Sequence, residues 1–262
     1  MNVIEANGIA IHWHEDGVPD GVPVVFANSL GTDLRLWDAL LPLLPGGFRY
    51  IRYDKRGHGL SSVTEAPYAL DTLVADAEAL IEGVAGGPVL FVGLSIGGLI
   101  GQGLTLKRPD LVRALVLSNT AAKLGTAEAW EDRIAQVRSG GMASMSEAIL
   151  DRWFSPANRH GDGVALWRNM LNACPVEGYT GCCAAIAGAD LRDRVGSLDL
   201  PVLCIAGSAD QASTPDVVAE TAARIPGARL ETIEGAGHLP CVEDPEAYAA
   251  ILTPFLKEHQ NG

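Results

Sequence analysis

Ser95 stands in the segment Gly93-Leu94-Ser95-Ile96-Gly97-Gly98, between an apolar run over residues 88–92 and a helical pattern that begins at Ile96. A serine held on a sharp strand-to-helix turn exposes its hydroxyl, and glycines on either side let neighbouring backbone pass close to the strained turn. At the head of a helix, free N–H groups and the helix dipole favour the negative charge that develops on a carbonyl oxygen under attack. In a chain with 30 glycines the bare G-x-S-x-G pattern carries little weight. Its context supplies the weight: a buried strand before it, and after it a helix with Leu99, Ile100, Leu104 and Leu106 on its apolar positions. The chemistry such a serine does is nucleophilic attack on an ester or related carbonyl.

A serine nucleophile needs a base and a group that orients the base. The apolar run over residues 201–206 is followed at once by Gly207-Ser208-Ala209-Asp210, and a second run over residues 228–233 leads into Glu234-Gly235-Ala236-Gly237-His238. Asp210 and His238 therefore each follow a strand, as Ser95 does, and in a parallel sheet all three would reach one edge. Asp210 also suits a plain capping position ahead of Thr214-Pro215, and His238 could be an idle loop residue. His12 and His14 alternate on an early strand, His160 lies in a polar loop and His259 in the tail, so none is assigned chemistry. His58, in Arg56-Gly57-His58-Gly59, reads as a structural loop residue. For the oxyanion, the backbone N–H of Ile96 needs a second donor. The loop Asn28-Ser29-Leu30-Gly31-Thr32-Asp33 offers the N–H of Leu30, although a leucine there is equally well plain packing.

The elements that must position these groups follow from periodicity. Strands are expected over residues 9–15, 22–27, 48–53, 88–92, 112–118, 201–206 and 228–233, and helices near 34–44, 70–84, 96–107, 216–224 and 245–256. Alternation of the two predicts an α/β fold with a doubly wound, mostly parallel sheet. Between 121 and 196 the strand signal disappears. That stretch is helical in periodicity, broken at Gly140-Gly141, Ser155-Pro156 and Cys174-Pro175, and reads as a helical cap inserted into a core made of residues 1–120 and 197–262.

Composition bounds the function. A chain of 262 residues, 48% hydrophobic, can bury one large core. It has no run of eighteen apolar residues, and its first residues lack the basic and apolar regions of a signal peptide, so a soluble, cytoplasmic protein is expected. Five cysteines without a C-x-x-C pair read as buried, reduced thiols rather than a disulfide framework or a zinc site. A net charge of −13 disfavours nucleic acid and anionic membrane as partners, and an anionic substrate would have to be caught by local cations.

The elbow around Ser95, the segment Tyr53-Asp54-Lys55-Arg56-Gly57-His58-Gly59-Leu60-Ser61, and Asp210 with His238 in the order Ser, Asp, His resemble the α/β-hydrolase superfamily across nearly the whole chain. Two shorter stretches, Asn28 to Asp33 and Ser118-Asn119-Thr120-Ala121-Ala122-Lys123-Leu124-Gly125-Thr126, are similar to the 3-oxoadipate enol-lactonases of the bacterial β-ketoadipate pathway. Like that group, the chain carries Asn28-Ser29 where many α/β-hydrolases have His-Gly. The resemblance implies a carboxylic ester hydrolase that opens a small enol-lactone with a free carboxylate arm through a Ser95–His238–Asp210 acyl-enzyme mechanism, with no cofactor and no metal. Other hydrolases on this fold, such as carboxylesterases, carbon–carbon bond hydrolases and perhydrolases, would keep the triad and change only the cap. A non-catalytic small-molecule receptor is the rival from another class. A haloalkane dehalogenase is disfavoured because its nucleophile is an aspartate. The carboxylate arm calls for a cation in the cap. Trp130 and Arg133, three apart on one helix face, are the candidates for substrate binding. The alternative is that Trp130 is core packing and Arg133 pairs with a surface acid, leaving Arg138, Arg152, Arg159 and Arg168 as competitors. Oligomeric state is not legible.

Overall fold

The computed structural model describes residues 1–161 and 163–260. Eight strands form one sheet: β1 (Asn2–Ala6), β2 (Ile9–Gly17), β3 (Val22–Ala27), β4 (Phe48–Tyr53), β5 (Val89–Leu94), β6 (Val112–Ser118), β7 (Val202–Gly207) and β8 (Arg229–Ile233). The spatial order is β1-β2-β4-β3-β5-β6-β7-β8, antiparallel at β1/β2 and β2/β4 and parallel from β4 onward. All residues of β5 and β7 are buried. This is what a continuous apolar run rather than an alternating one means in a sheet covered by helices on both faces.

The helices that flank the strands are α1 (Leu70–Leu80), α2 (Ile96–Lys107), α3 (Ala127–Gly140), α4 (Ser146–Trp153), α5 (Val164–Ala173), α6 (Val176–Ala187), α7 (Pro215–Arg224), α8 (Pro240–Glu243) and α9 (Pro245–Glu258). The expected helix 70–84 is α1 continued by a π-helical turn, Ile81–Ala85. Between β6 and β7 the described residues form α3 to α6 and short turns, with no strand.

Two expectations need correction. Residues 34–44 form two 3₁₀ turns, Leu34–Trp37 and Leu41–Leu43, instead of one helix. An α-helix through this stretch would require an N–H from Pro42 to the carbonyl of Asp38, and the proline ring would collide there. The other is β1, which was not foreseen. It pairs with β2 through the tight turn Asn7-Gly8, both residues at positive φ, 47° and 75°. Asparagine–glycine is the pair best suited to such a hairpin turn.

Register across the sheet aligns the C-terminal strand ends. Ala27 pairs with Gly93, Leu94 with Ser118, Ser118 with Ile205, and Gly207 with Ile233. The loops that follow β3, β5, β7 and β8 therefore leave from one edge, and they carry Leu30, Ser95, Asp210 and His238 respectively.

Candidate active site

Ser95 is the residue between β5 and α2, with φ 58° and ψ −118°, a left-handed backbone that a side chain-bearing residue adopts only under constraint. The glycines around it are sterically required. A Cβ on Gly93 would strike the backbone of Gly97, and one on Gly97 would strike the carbonyl of Ala27. The turn is pinned by Ser95 N–H donating to Ser118 O (3.0 Å) and by Thr120 Oγ1 donating to Ser95 O (2.6 Å).

Asp210 and His238 meet behind this turn. His238 Nδ1 lies 2.9 Å from Asp210 Oδ2, and both side chains are almost wholly buried. The same carboxylate accepts from Asn119 Nδ2 (2.9 Å) and from the backbone N–H groups of Ala212 (2.7 Å) and Ser213 (3.0 Å). Burial by itself pushes the Asp210 pKa up, but the adjoining His238 and these donors outweigh it and hold the carboxyl below its ordinary value. An ionised Asp210 fixes the proton on Nδ1 and leaves Nε2 as the working nitrogen. Nε2 lies 3.5 Å from Ser29 Oγ, and among the described residues Ser95 Oγ makes no hydrogen bond to it. Ser95 and His238 nonetheless line the same cavity, so nucleophile and base face one space.

Ile96 is the first residue of α2, and its N–H has no acceptor within the helix. The N–H of Leu30 likewise has no partner among the described residues, and Leu30 lines the cavity beside Ser95. The loop that presents it is braced from beneath. Asn28 bridges Tyr53 O and Trp37 Nε1, Lys55 Nζ donates to Ser29 O and Thr32 O, and the N–H of Gly31 donates to His58 Nε2 at 3.0 Å. Since Nε2 accepts, the ring proton sits on Nδ1, facing Arg56 O at 3.2 Å. Burial, with the Lys55 charge adding to it, holds the His58 pKa well below the ordinary 6.5, so the ring is neutral. His58 has the structural place the sequence indicated.

The cavity has a volume of about 140 Å³ and opens to solvent. Its floor is Ser29, Leu30, Ser95 and His238, and its walls include Trp130, Arg133, Ile149, Arg152, Trp153 and Tyr179 from α3, α4 and α6. Arg133 lies over the Trp130 ring, 4.8 Å from its centroid, and Trp130 Nε1 donates to Leu124 O at 2.7 Å. Arg133 does not pair with a surface acid among the described residues. The other candidate arginines separate cleanly. Arg159 pairs with Asp151, Arg168 with Glu147, and Arg138 borders a different depression. Arg152 alone of them reaches this cavity, where burial and the neighbouring Arg133 charge lower its pKa and no carboxylate among the described residues pairs with it.

Sequence reasoning gave no role to Asn119, Tyr179 or Glu243. Asn119 sits at φ 47° and ties Asp210 to Gly237 O, in the loop that carries His238. Glu243 accepts from Gly237 N–H and Ser155 N–H, joining that loop to the residues after α4. The left-handed preference of asparagine just after a strand was the available signal for Asn119; a lone glutamate on a four-residue helix offered none.

Known proteins resemble this chain over most of its length. Residues 24–251 match the alpha/beta hydrolase family. The chain is 34% identical over 258 residues to 3-oxoadipate enol-lactonase 2 of Acinetobacter baylyi, covering 98% of this chain and 96% of that protein. It is 32% identical to 3-oxoadipate enol-lactonase 1 of the same organism, covering 92% and 91%. Among solved structures, the enol-lactonase from Burkholderia xenovorans LB400 superposes with a TM-score of 0.94 at 35% identity, covering 98% of this chain and 100% of that one.

Proposed function

This chain belongs to the α/β-hydrolase family, and from that premise we propose that it hydrolyses 3-oxoadipate enol-lactone to 3-oxoadipate. The observation that carries the reading is a hydrolase cavity in which Arg133 and Arg152, neither with a carboxylate partner among the described residues, face the same space as Ser95 and His238. An uncharged ester has no use for that pair. A lactone with a free carboxylate arm gains charge-assisted hydrogen bonds from it. Likeness to two enol-lactonases over nearly the full chain supports the same choice.

In this mechanism His238 Nε2 takes the Ser95 hydroxyl proton as Oγ attacks the lactone carbonyl, and Asp210 stabilises the imidazolium. The N–H groups of Ile96 and Leu30 hold the tetrahedral oxyanion. Collapse breaks the ring C–O bond and expels an enol oxygen, which takes the proton from His238 and tautomerises to the ketone. A water molecule, giving its proton to His238, then attacks the acyl-enzyme. The second collapse returns the proton to Ser95 and releases the diacid. Residues 121–196 act as the lid over this site and residues 1–120 and 197–262 as its core. Among the described residues no helix is long and apolar enough to cross a membrane, and a cytoplasmic place in aromatic-compound catabolism suits the proposed substrate.

The test is loss of the enol-lactone's ultraviolet absorbance with the purified protein, alongside hydrolysis of p-nitrophenyl acetate. Selective turnover of the lactone supports the reading. Efficient turnover of the neutral ester with none of the lactone would mean a general esterase. Ser95→Ala should lower kcat by about six orders of magnitude without unfolding the protein.

A further inference from the structure

Lys55 is 2% exposed, and its ammonium contacts no carboxylate among the described residues. Its hydrogen-bond acceptors among the described residues are two backbone carbonyls, Ser29 O at 2.6 Å and Thr32 O at 3.1 Å. A methionine would fill similar volume without the cost of stripping water from a charge. The choice of acceptor gives the charge a use. Ser29 O is the carbonyl end of the peptide unit whose N–H belongs to Leu30. Charge drawn toward the oxygen of an amide leaves its N–H a stronger donor, and in a dry site such coupled hydrogen bonds reinforce each other. The same carbonyl also accepts from Thr32 N–H (3.3 Å) and Thr32 Oγ1 (2.9 Å), closing a tight turn around Leu30. On the far side the Gly31 N–H is taken by His58. The loop thus has its neighbouring polar groups engaged while the Leu30 N–H stays free.

We propose that Lys55 is a positioning residue for the oxyanion: its ammonium polarises the Ser29–Leu30 peptide and holds the Leu30 N–H ready for negative oxygen. It never touches substrate. Its effect is on the transition state, where charge on the substrate oxygen is greatest, and not on the ground state. This rests on the reading of Ser95 as nucleophile and Leu30 N–H as donor, but not on which ester is the natural substrate.

The experiment compares wild type with Lys55→Met and Lys55→Gln in two assays. The first is hydrolysis of p-nitrophenyl acetate. The second is inhibition by an alkyl trifluoromethyl ketone, which adds to Ser95 as a hemiketal oxyanion, set against the parent methyl ketone, which binds without adding. Lys55→Met should lose roughly 10- to 100-fold in kcat/KM, less than the loss of a whole oxyanion donor. Its inhibition constant for the trifluoromethyl ketone should rise by the same factor, with the methyl ketone unchanged. Lys55→Gln keeps an N–H donor without the charge and should fall between; it carries the test alone if Lys55→Met does not fold. Equal weakening of both ketones, or no change in either, overturns the proposal, because a general distortion of the pocket or a mere filler would behave that way. If wild type itself does not bind the trifluoromethyl ketone more tightly than the methyl ketone, the nucleophile reading fails and this proposal with it. Unchanged variants of an enzyme that does discriminate overturn this proposal alone.

Discussion

Asn119 donates through Nδ2 to the same Asp210 oxygen, Oδ2, that lies against His238 Nδ1, at 2.9 Å in both cases. It also holds Gly237 O, one residue before the histidine, at 3.1 Å. One asparagine thus sets both the carboxylate and the loop that brings the imidazole to it. In the proposed mechanism Asp210→Asn should cost about 10⁴ in kcat, because the amide cannot stabilise an imidazolium and can impose the wrong tautomer. Asn119→Ala removes one hydrogen bond to a charge, worth about 1.5–3 kcal/mol, and should cost roughly 10- to 100-fold. Steady-state kinetics with circular dichroism as a folding control decides the matter. A loss under tenfold for Asp210→Asn would mean that another group orients the histidine.

His58 predicts an acid limb in stability. Its pKa in the folded state lies well below 6.5 through burial first and the Lys55 charge second. Below about pH 6.5 the unfolded chain takes up a proton at this residue while the folded protein does not, so folding stability falls as pH falls, by at most about 1.4 kcal/mol per pH unit. His58→Gln still offers an oxygen to the Gly31 N–H but cannot titrate. It should be less stable than wild type at pH 7, and the gap should narrow as pH drops below about 6. Urea unfolding at pH 7, 6 and 5 gives the comparison; a gap independent of pH would mean that the ring titrates in the folded protein as it does in the unfolded chain, and a gap that widens would mean that it is charged when folded.

Much of this architecture was legible because the parallel strands are buried on both faces and so read as unbroken apolar runs, as in Val89–Leu94 and Val202–Gly207. Ser95 was legible because the close approach of Gly97 to Ala27 forbids any other residue there. The failures have equally definite causes. Periodicity over residues 34–44 suits a helix that Pro42 forbids, and the hairpin at Asn7-Gly8 is marked by its turn alone, since Asn2–Ala6 has no apolar run to announce a strand. The sequence sets Arg133 apart only by its spacing from Trp130, and nothing in it separates Arg152 from Arg138, Arg159 and Arg168. Whether an arginine is free depends on an acid brought near by folding, as Glu147 is to Arg168 across α4 and α5. Lys55 was hidden for a similar reason, since its partners are main-chain carbonyls that residue types do not reveal.

The arginine pair gives the sharpest test of substrate class. Arg133→Ala should lower kcat/KM for the enol-lactone by an amount worth about 2–3 kcal/mol, the value of a hydrogen bond to a charged group, and Arg152→Ala should do likewise. Hydrolysis of p-nitrophenyl acetate, which has no carboxylate, should change little in either variant. The ratio of the two rates is the measurement, because a folding defect depresses both. Two arginines sharing one carboxylate are coupled, so the double variant should lose a different amount from the sum of the single losses. Arg133 also packs on Trp130, and a purely structural arginine would therefore lower both activities together. Equal losses on both substrates, or none on either, would take the carboxylate away from this pair and remove the main support for a carboxylate-bearing lactone.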